Sequence, residues 1–134
     1  MPFLCRVAAA AVLVLVLTAC ASAPSRPVRS EFEDIPVPKG LTYEPGRSTI
    51  IESPQVKAAR LVYRGRIEIE SLAAAMRTTL EDHGWRNVSS TTTARHGMTQ
   101  VYEKSGNSVQ VVLWEGFWYT YVELTASRAS QLSK

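Results

Sequence analysis

Cys20 is the residue whose type and setting point to a definite reaction. It follows Leu17-Thr18-Ala19 at the end of an uncharged run, Val7 to Leu17, with Arg6 as the only charge ahead of it. A short cationic head, an apolar stretch and a small-residue cleavage site make an export signal. A cysteine directly after Leu-x-Ala is the acceptor pattern of bacterial lipoprotein processing. The expectation is cleavage after Ala19, with a diacylglyceryl group and a further acyl chain carried on Cys20. The apolar run is 11 residues, short of the roughly 20 that a spanning helix needs. Each buried acyl methylene contributes about 0.8 kcal/mol, and durable anchoring takes more than one chain, so the attachment is expected to be permanent.

The remaining candidates for chemistry are sparse. His83 and His96 are the only histidines, and neither sits at a ligand spacing such as His-x-x-x-His. Cys5 leaves with the signal and Cys20 is taken by lipid, so the mature chain has no thiol for a disulfide, a nucleophile or a thiolate metal site. Metal: none, and cofactors: none apart from the covalent lipid, are therefore the expectations. Glu68 and Glu70 alternate at a strand–helix junction, which is more simply a polar face than an acid/base pair. His83 with Glu81 and Asp82 is equally well a solvated helix end. Gly-x-Ser-x-Gly, Ser-x-x-Lys and a phosphate loop are all missing from the sequence. No catalytic residue is expected, and the chain reads as a non-enzyme.

The unusual segment is Trp114 to Tyr121, WEGFWYTY. If Trp118 onward is a strand, Trp118, Thr120 and Val122 point one way while Tyr119, Tyr121 and Glu123 point the other. The simpler reading puts Trp118 in the core and the tyrosines beneath a proline-rich arm. The sharper reading makes Trp114, Phe117, Tyr119 and Tyr121 a contact patch for a partner, for sugars or for the membrane surface.

Composition bounds the partners. The mature chain of 115 residues suits one domain on a tether, and with Arg6 gone it holds 14 basic against 12 acidic residues, a net of +2. That near balance, together with export, argues against nucleic acid.

The elements follow from pattern. Residues 20–30, with Pro24 and Pro27, make a flexible tether. Residues 31–46 carry Phe32, Ile35, Val37, Leu41 and Tyr43 among Pro36, Pro38 and Pro45, which predicts an extended arm packed on an edge or face. Residues 47–127 form the α+β domain, and 128–134 a polar tail. Strands are predicted over Arg47–Glu52 and Ala59–Ile67, then a helix over Leu72–His83 capped by Ser71 and stopped by Gly84. Further strands follow over Trp85–Thr93, Thr99–Lys104, Ser108–Leu113 and Trp118–Thr125, with a turn at Ser105-Gly106-Asn107. The order β-β-α-β-β-β-β predicts a two-layer sandwich, one amphipathic helix on an antiparallel sheet of about five to six strands. Leu61, Tyr63, Val111, Leu113, Val122 and Leu124 are the candidate core of its sheet.

Asp34-Ile35-Pro36-Val37-Pro38-Lys39-Gly40, Leu61-Val62-Tyr63-Arg64-Gly65, Gly84-Trp85 and Tyr102-Glu103-Lys104 together resemble a family of small, uncharacterised proteobacterial outer-membrane lipoproteins with a domain of unknown function. The resemblance spans about residues 31 to 127 and supplies no catalytic residues. Ala21 follows Cys20 where an aspartate tends to retain enteric lipoproteins in the inner membrane. The expected location is thus the outer membrane with the domain in the periplasm, the inner membrane's periplasmic face being the alternative. The expected function is a non-enzymatic binding or scaffolding module for an envelope protein partner. The alternative is a lipid- or glycan-binding module that uses the aromatic face.

Overall fold

The computed structural model describes residues 32, 34–93 and 97–129. The segments read as signal peptide and tether, with Cys20, and also His96 lie outside the described residues. Seven strands are described: β1 Thr42–Tyr43, β2 Thr49–Glu52, β3 Val56–Gly65, β4 Arg86–Thr93, β5 Gly97–Lys104, β6 Asn107–Glu115 and β7 Thr120–Ala129. One α-helix, α1, spans Ile69–Asp82 between β3 and β4. The strands form one antiparallel sheet in the order β1-β3-β7-β6-β5-β4, with β2 also paired to β3. Helix and sheet make the predicted α+β two-layer sandwich, extended by β1. The proline-rich arm supplies that strand at the edge, where Pro45 opens a 3-10 turn over Pro45–Arg47 without breaking a ladder.

Alternation assigns the two faces of the sheet. Ala59, Leu61 and Tyr63 of β3, Val109, Val111 and Leu113 of β6, and Val122, Leu124 and Ala126 of β7 are buried against Ile69, Leu72, Ala73, Met76 and Leu80 of α1. All six predicted core residues belong to this cluster. Truncating Leu72 or Leu80, both fully buried, costs about 2–5 kcal/mol. Phe32 and Ile35 are buried in the same cluster, and Val37, Leu41 and Tyr43 pack against it. The arm therefore covers the helix layer and leaves the opposite face of the sheet open.

A polar chain crosses the core. Tyr102 Oη donates to Gln100 Oε1 at 2.9 Å, and Gln100 Nε2 donates to the Ala73 carbonyl at 3.2 Å. Both side chains are buried, so the sheet holds the helix through groups that have no water to fall back on. Desolvation pushes the Tyr102 phenol up from its ordinary pKa.

The cap of α1 differs from the sequence expectation. Glu68, not Ser71, is the N-cap: its carboxylate accepts from the Glu70 and Ser71 amides at 3.2 and 2.9 Å. Ser71 lies inside the first turn and donates its hydroxyl to Glu68 Oε2 at 2.8 Å. The helix starts earlier because Ile69 is itself buried and belongs to the apolar stripe. Gly84, at φ +83°, ends it as expected, and His83 lies at the C-cap with Nδ1 2.7 Å from the Thr79 carbonyl. The strand limits also shift: β2 begins at Thr49, β3 runs Val56–Gly65, and β7 reaches Ala129, two residues into the segment read as a polar tail.

Candidate functional site

The β6–β7 hairpin turns through Gly116 to Tyr119, where the Gly116 amide donates to the Tyr119 carbonyl at 2.7 Å. This bond closes a four-residue turn after the last ladder pair, Glu115 with Thr120. Phe117 and Trp118 occupy its tip, with 89% and 72% of their surfaces exposed. Their rings meet edge to face at 4.8 Å between centroids. The expected placement of Trp118 in the core is thus overturned. The turn lifts residues 117 and 118 out of the pleat, so the strand alternation does not extend back to them.

The turn is braced from four sides. Thr120 Oγ1 donates to the Ile67 carbonyl at 2.6 Å, tying the hairpin to the connection between β3 and α1. The Arg64 and Arg66 guanidiniums lie over the Tyr119 ring at 4.7 and 5.4 Å from its centroid. Arg64 is also ion-paired to Glu44 at 2.7 Å. The Tyr121 ring packs so closely on Gly116 that a Cβ there would lie 2.6 Å from Tyr121 Cε2. Two large aromatics are therefore presented to solvent on a rigid platform.

The other aromatics occupy the open face. Tyr121 and Trp114 are register partners on β7 and β6, and their rings stack at 5.4 Å with 13° between planes. Arg47, from the 3-10 turn, places its guanidinium 4.8 Å from the Tyr121 ring centroid on the same face. The tyrosines are not covered by the arm, as the simpler reading had it; arginines and Trp114 partner them instead. Of the four predicted contact residues, Phe117 is at the tip, Tyr119 is part of its brace, and Trp114 with Tyr121 form a separate stack. Trp118, expected in the core, lies at the surface. Arg47, Arg64 and Arg66 carried no sequence signal, because the rings they meet lie at least 53 residues away.

Among the described residues there is no group of three or more His, Cys, Asp or Glu side chains that could hold a metal ion. Among them, too, no helix is long and apolar enough to cross a membrane.

No family model and no curated protein matches the sequence. Among solved structures, the chain is similar to one described as the crystal structure of LpqN, involved in cell envelope biogenesis of Mycobacterium tuberculosis. The likeness is 16% identity over 72% of this chain and 70% of that one, with a TM-score of 0.39.

Proposed function

We propose that the protein is a lipid-anchored envelope module, held at the membrane through Cys20, that binds a partner protein without catalysis through the tip of its β6–β7 hairpin. The observation that carries this reading is the Phe117–Trp118 pair, exposed on a turn fixed by Thr120, Tyr119 and Tyr121. A turn whose backbone is already braced loses little entropy on docking, and buried aromatic anchors dominate interface energetics. A partner with an apolar cleft is the complement of such a knob. The outer membrane and the periplasm belong to the same proposal and rest on Leu17-Thr18-Ala19-Cys20 and Ala21, and the likeness to proteobacterial lipoproteins rests on the motifs at 34–40, 61–65, 84–85 and 102–104.

The test is site-specific photo-crosslinking in cells, with a benzophenone amino acid in place of Phe117. Capture of one discrete envelope protein, lost on Trp118→Ser, supports the reading. Diffuse or lipid-only adducts, or capture unchanged by Trp118→Ser and by Tyr119→Ala, overturn it.

A further inference from the structure

The hairpin tip gives no role to Trp114 and Arg47, which both contact Tyr121 on the open sheet face. Both line a cleft of about 420 Å3 together with Gly46, Thr49, Arg60 and Val62. That volume lies within the roughly 300–1,000 Å3 of small-molecule sites. Val62, 1% exposed, forms part of the cleft although it lies on the face away from the helix. Thr49 and Arg60 are register partners on β2 and β3, so two strands hold their side chains side by side.

The two arginines differ in state. Arg60 is ion-paired to Glu123 at 2.6 Å. Arg47 makes no ion pair among the described residues; it rests on Tyr121, whose ring is in turn stacked on Trp114. A cation–π contact fixes a guanidinium while leaving its N–H fork free to meet a carboxylate at two points. None of the six lining residues is acidic.

These groups suit one ligand chemistry. The part of the indole left outside its stack on Tyr121 can pack on the C–H face of a sugar ring, a guanidinium with no ion pair among the described residues takes a carboxylate, and Thr49 Oγ1 with the outer N–H groups of Arg60 serves ring hydroxyls. A bare phosphate would engage Arg47 and leave Trp114 unused. We infer that the cleft between Arg47 and Trp114 binds a carboxylate-bearing sugar unit. The site shares Tyr121 with the turn but not Phe117 or Trp118, and it stands whether or not those two residues bind a protein.

The test is titration of the mature full-length chain in detergent micelles, following the three indole N–H resonances by NMR. The probes are N-acetylmuramic acid, N-acetylglucosamine as its neutral counterpart, and inorganic phosphate. The expected result is a saturable shift of the Trp114 signal with the acidic sugar while the Trp85 and Trp118 signals stay still. Arg47→Ala should weaken the acidic sugar at least tenfold and leave the neutral sugar unchanged. Arg47→Lys, which keeps the charge and loses the fork, should recover only part of the affinity. Trp118→Ser should bind as the parent does, which separates this site from the tip. No saturable shift at Trp114, equal affinity for both sugars, or phosphate binding as tightly as the acidic sugar would each overturn the assignment.

Discussion

Arg128, near the end of β7, is ion-paired to Asp34 at the start of the proline-rich arm, 94 residues earlier in the chain. The same guanidinium lies 5.3 Å from the Phe32 ring centroid. One side chain thus fastens the first described residues of the arm to the last strand of the sheet. Partly exposed ion pairs contribute up to about 1 kcal/mol, and a cation–π contact adds about 0.5–1. Arg128→Ala is expected to lower stability by about 1 kcal/mol in urea unfolding. Limited proteolysis should then cut the arm ahead of Val37 faster while the sheet stays intact. Equal cleavage rates in parent and variant would show that apolar burial alone holds the arm.

The capping assignment separates two neighbouring residues. Glu68→Ala removes the acceptor for two amides and should cost about 1 kcal/mol. Ser71→Ala removes one exposed hydroxyl donor and should stay within about 0.5 kcal/mol. Urea unfolding of both variants checks this, and a larger loss at Ser71 would reverse the assignment.

The buried phenol sets a pH dependence. Tyr102 titrates above its ordinary value in the folded chain because burial disfavours the phenolate. The unfolded chain releases this proton near pH 10. Between those two pKa values the unfolded state binds fewer protons than the folded one, so stability falls as pH rises. Unfolding free energies measured from pH 8 to 11 should decline, and Tyr102→Phe should flatten that part of the curve. At neutral pH the same variant leaves Gln100 Oε1 without its donor and should cost about 1–3 kcal/mol.

Gly116→Ala tests the rigidity of the hairpin turn. The added methyl would meet Tyr121 Cε2 at 2.6 Å and the Tyr119 carbonyl at 3.1 Å, so ring or turn must move. Overpacking of this kind costs about 1–3 kcal/mol. The thermal midpoint should fall, and partner capture through Phe117 should fall with it. A variant with the parent's midpoint and full capture would mean that the turn yields easily and that its bracing is incidental.

The sequence carried the helix and the hairpins because their signals are local. The α1 stripe recurs at helical spacing, and the β5–β6 turn falls on Ser105 and Gly106, both at positive φ as a tight hairpin turn requires. The candidate site was half legible. The cluster of rings stood out, but strand alternation extrapolated back from Val122 and Thr120 placed Trp118 inside. The hydrogen bond from Gly116 to Tyr119 interrupts that alternation, and nothing in the composition of a Glu-Gly-Phe segment says where the turn ends. The partners of the rings come from β3 and the turn before β2, and only the register of β3 against β7 brings Arg64 and Arg66 near Tyr119. Ser71 is of a type preferred at an N-cap and Glu68 is not, so local preference pointed to Ser71 while the burial of Ile69 moved the start of the helix ahead of it.

The arm runs the length of the domain. It starts beside Arg128, which is paired in register with Lys57, and reaches the Gly65 end of β3 at Gly40 and Thr42. Eight residue steps of β7 separate those ends, about 26 Å. A pull on Phe32 directed away from the hairpin tip would run along the arm rather than away from the sheet. Phe32, Ile35 and Val37 lie on the stretch that runs toward Gly40, and Leu41 and Tyr43 follow after the chain reverses there into β1. Under that load the arm's contacts with the core would be strained in shear rather than peeled one at a time, so a domain held at Phe32 and at its hairpin tip would open only by breaking several apolar contacts at once.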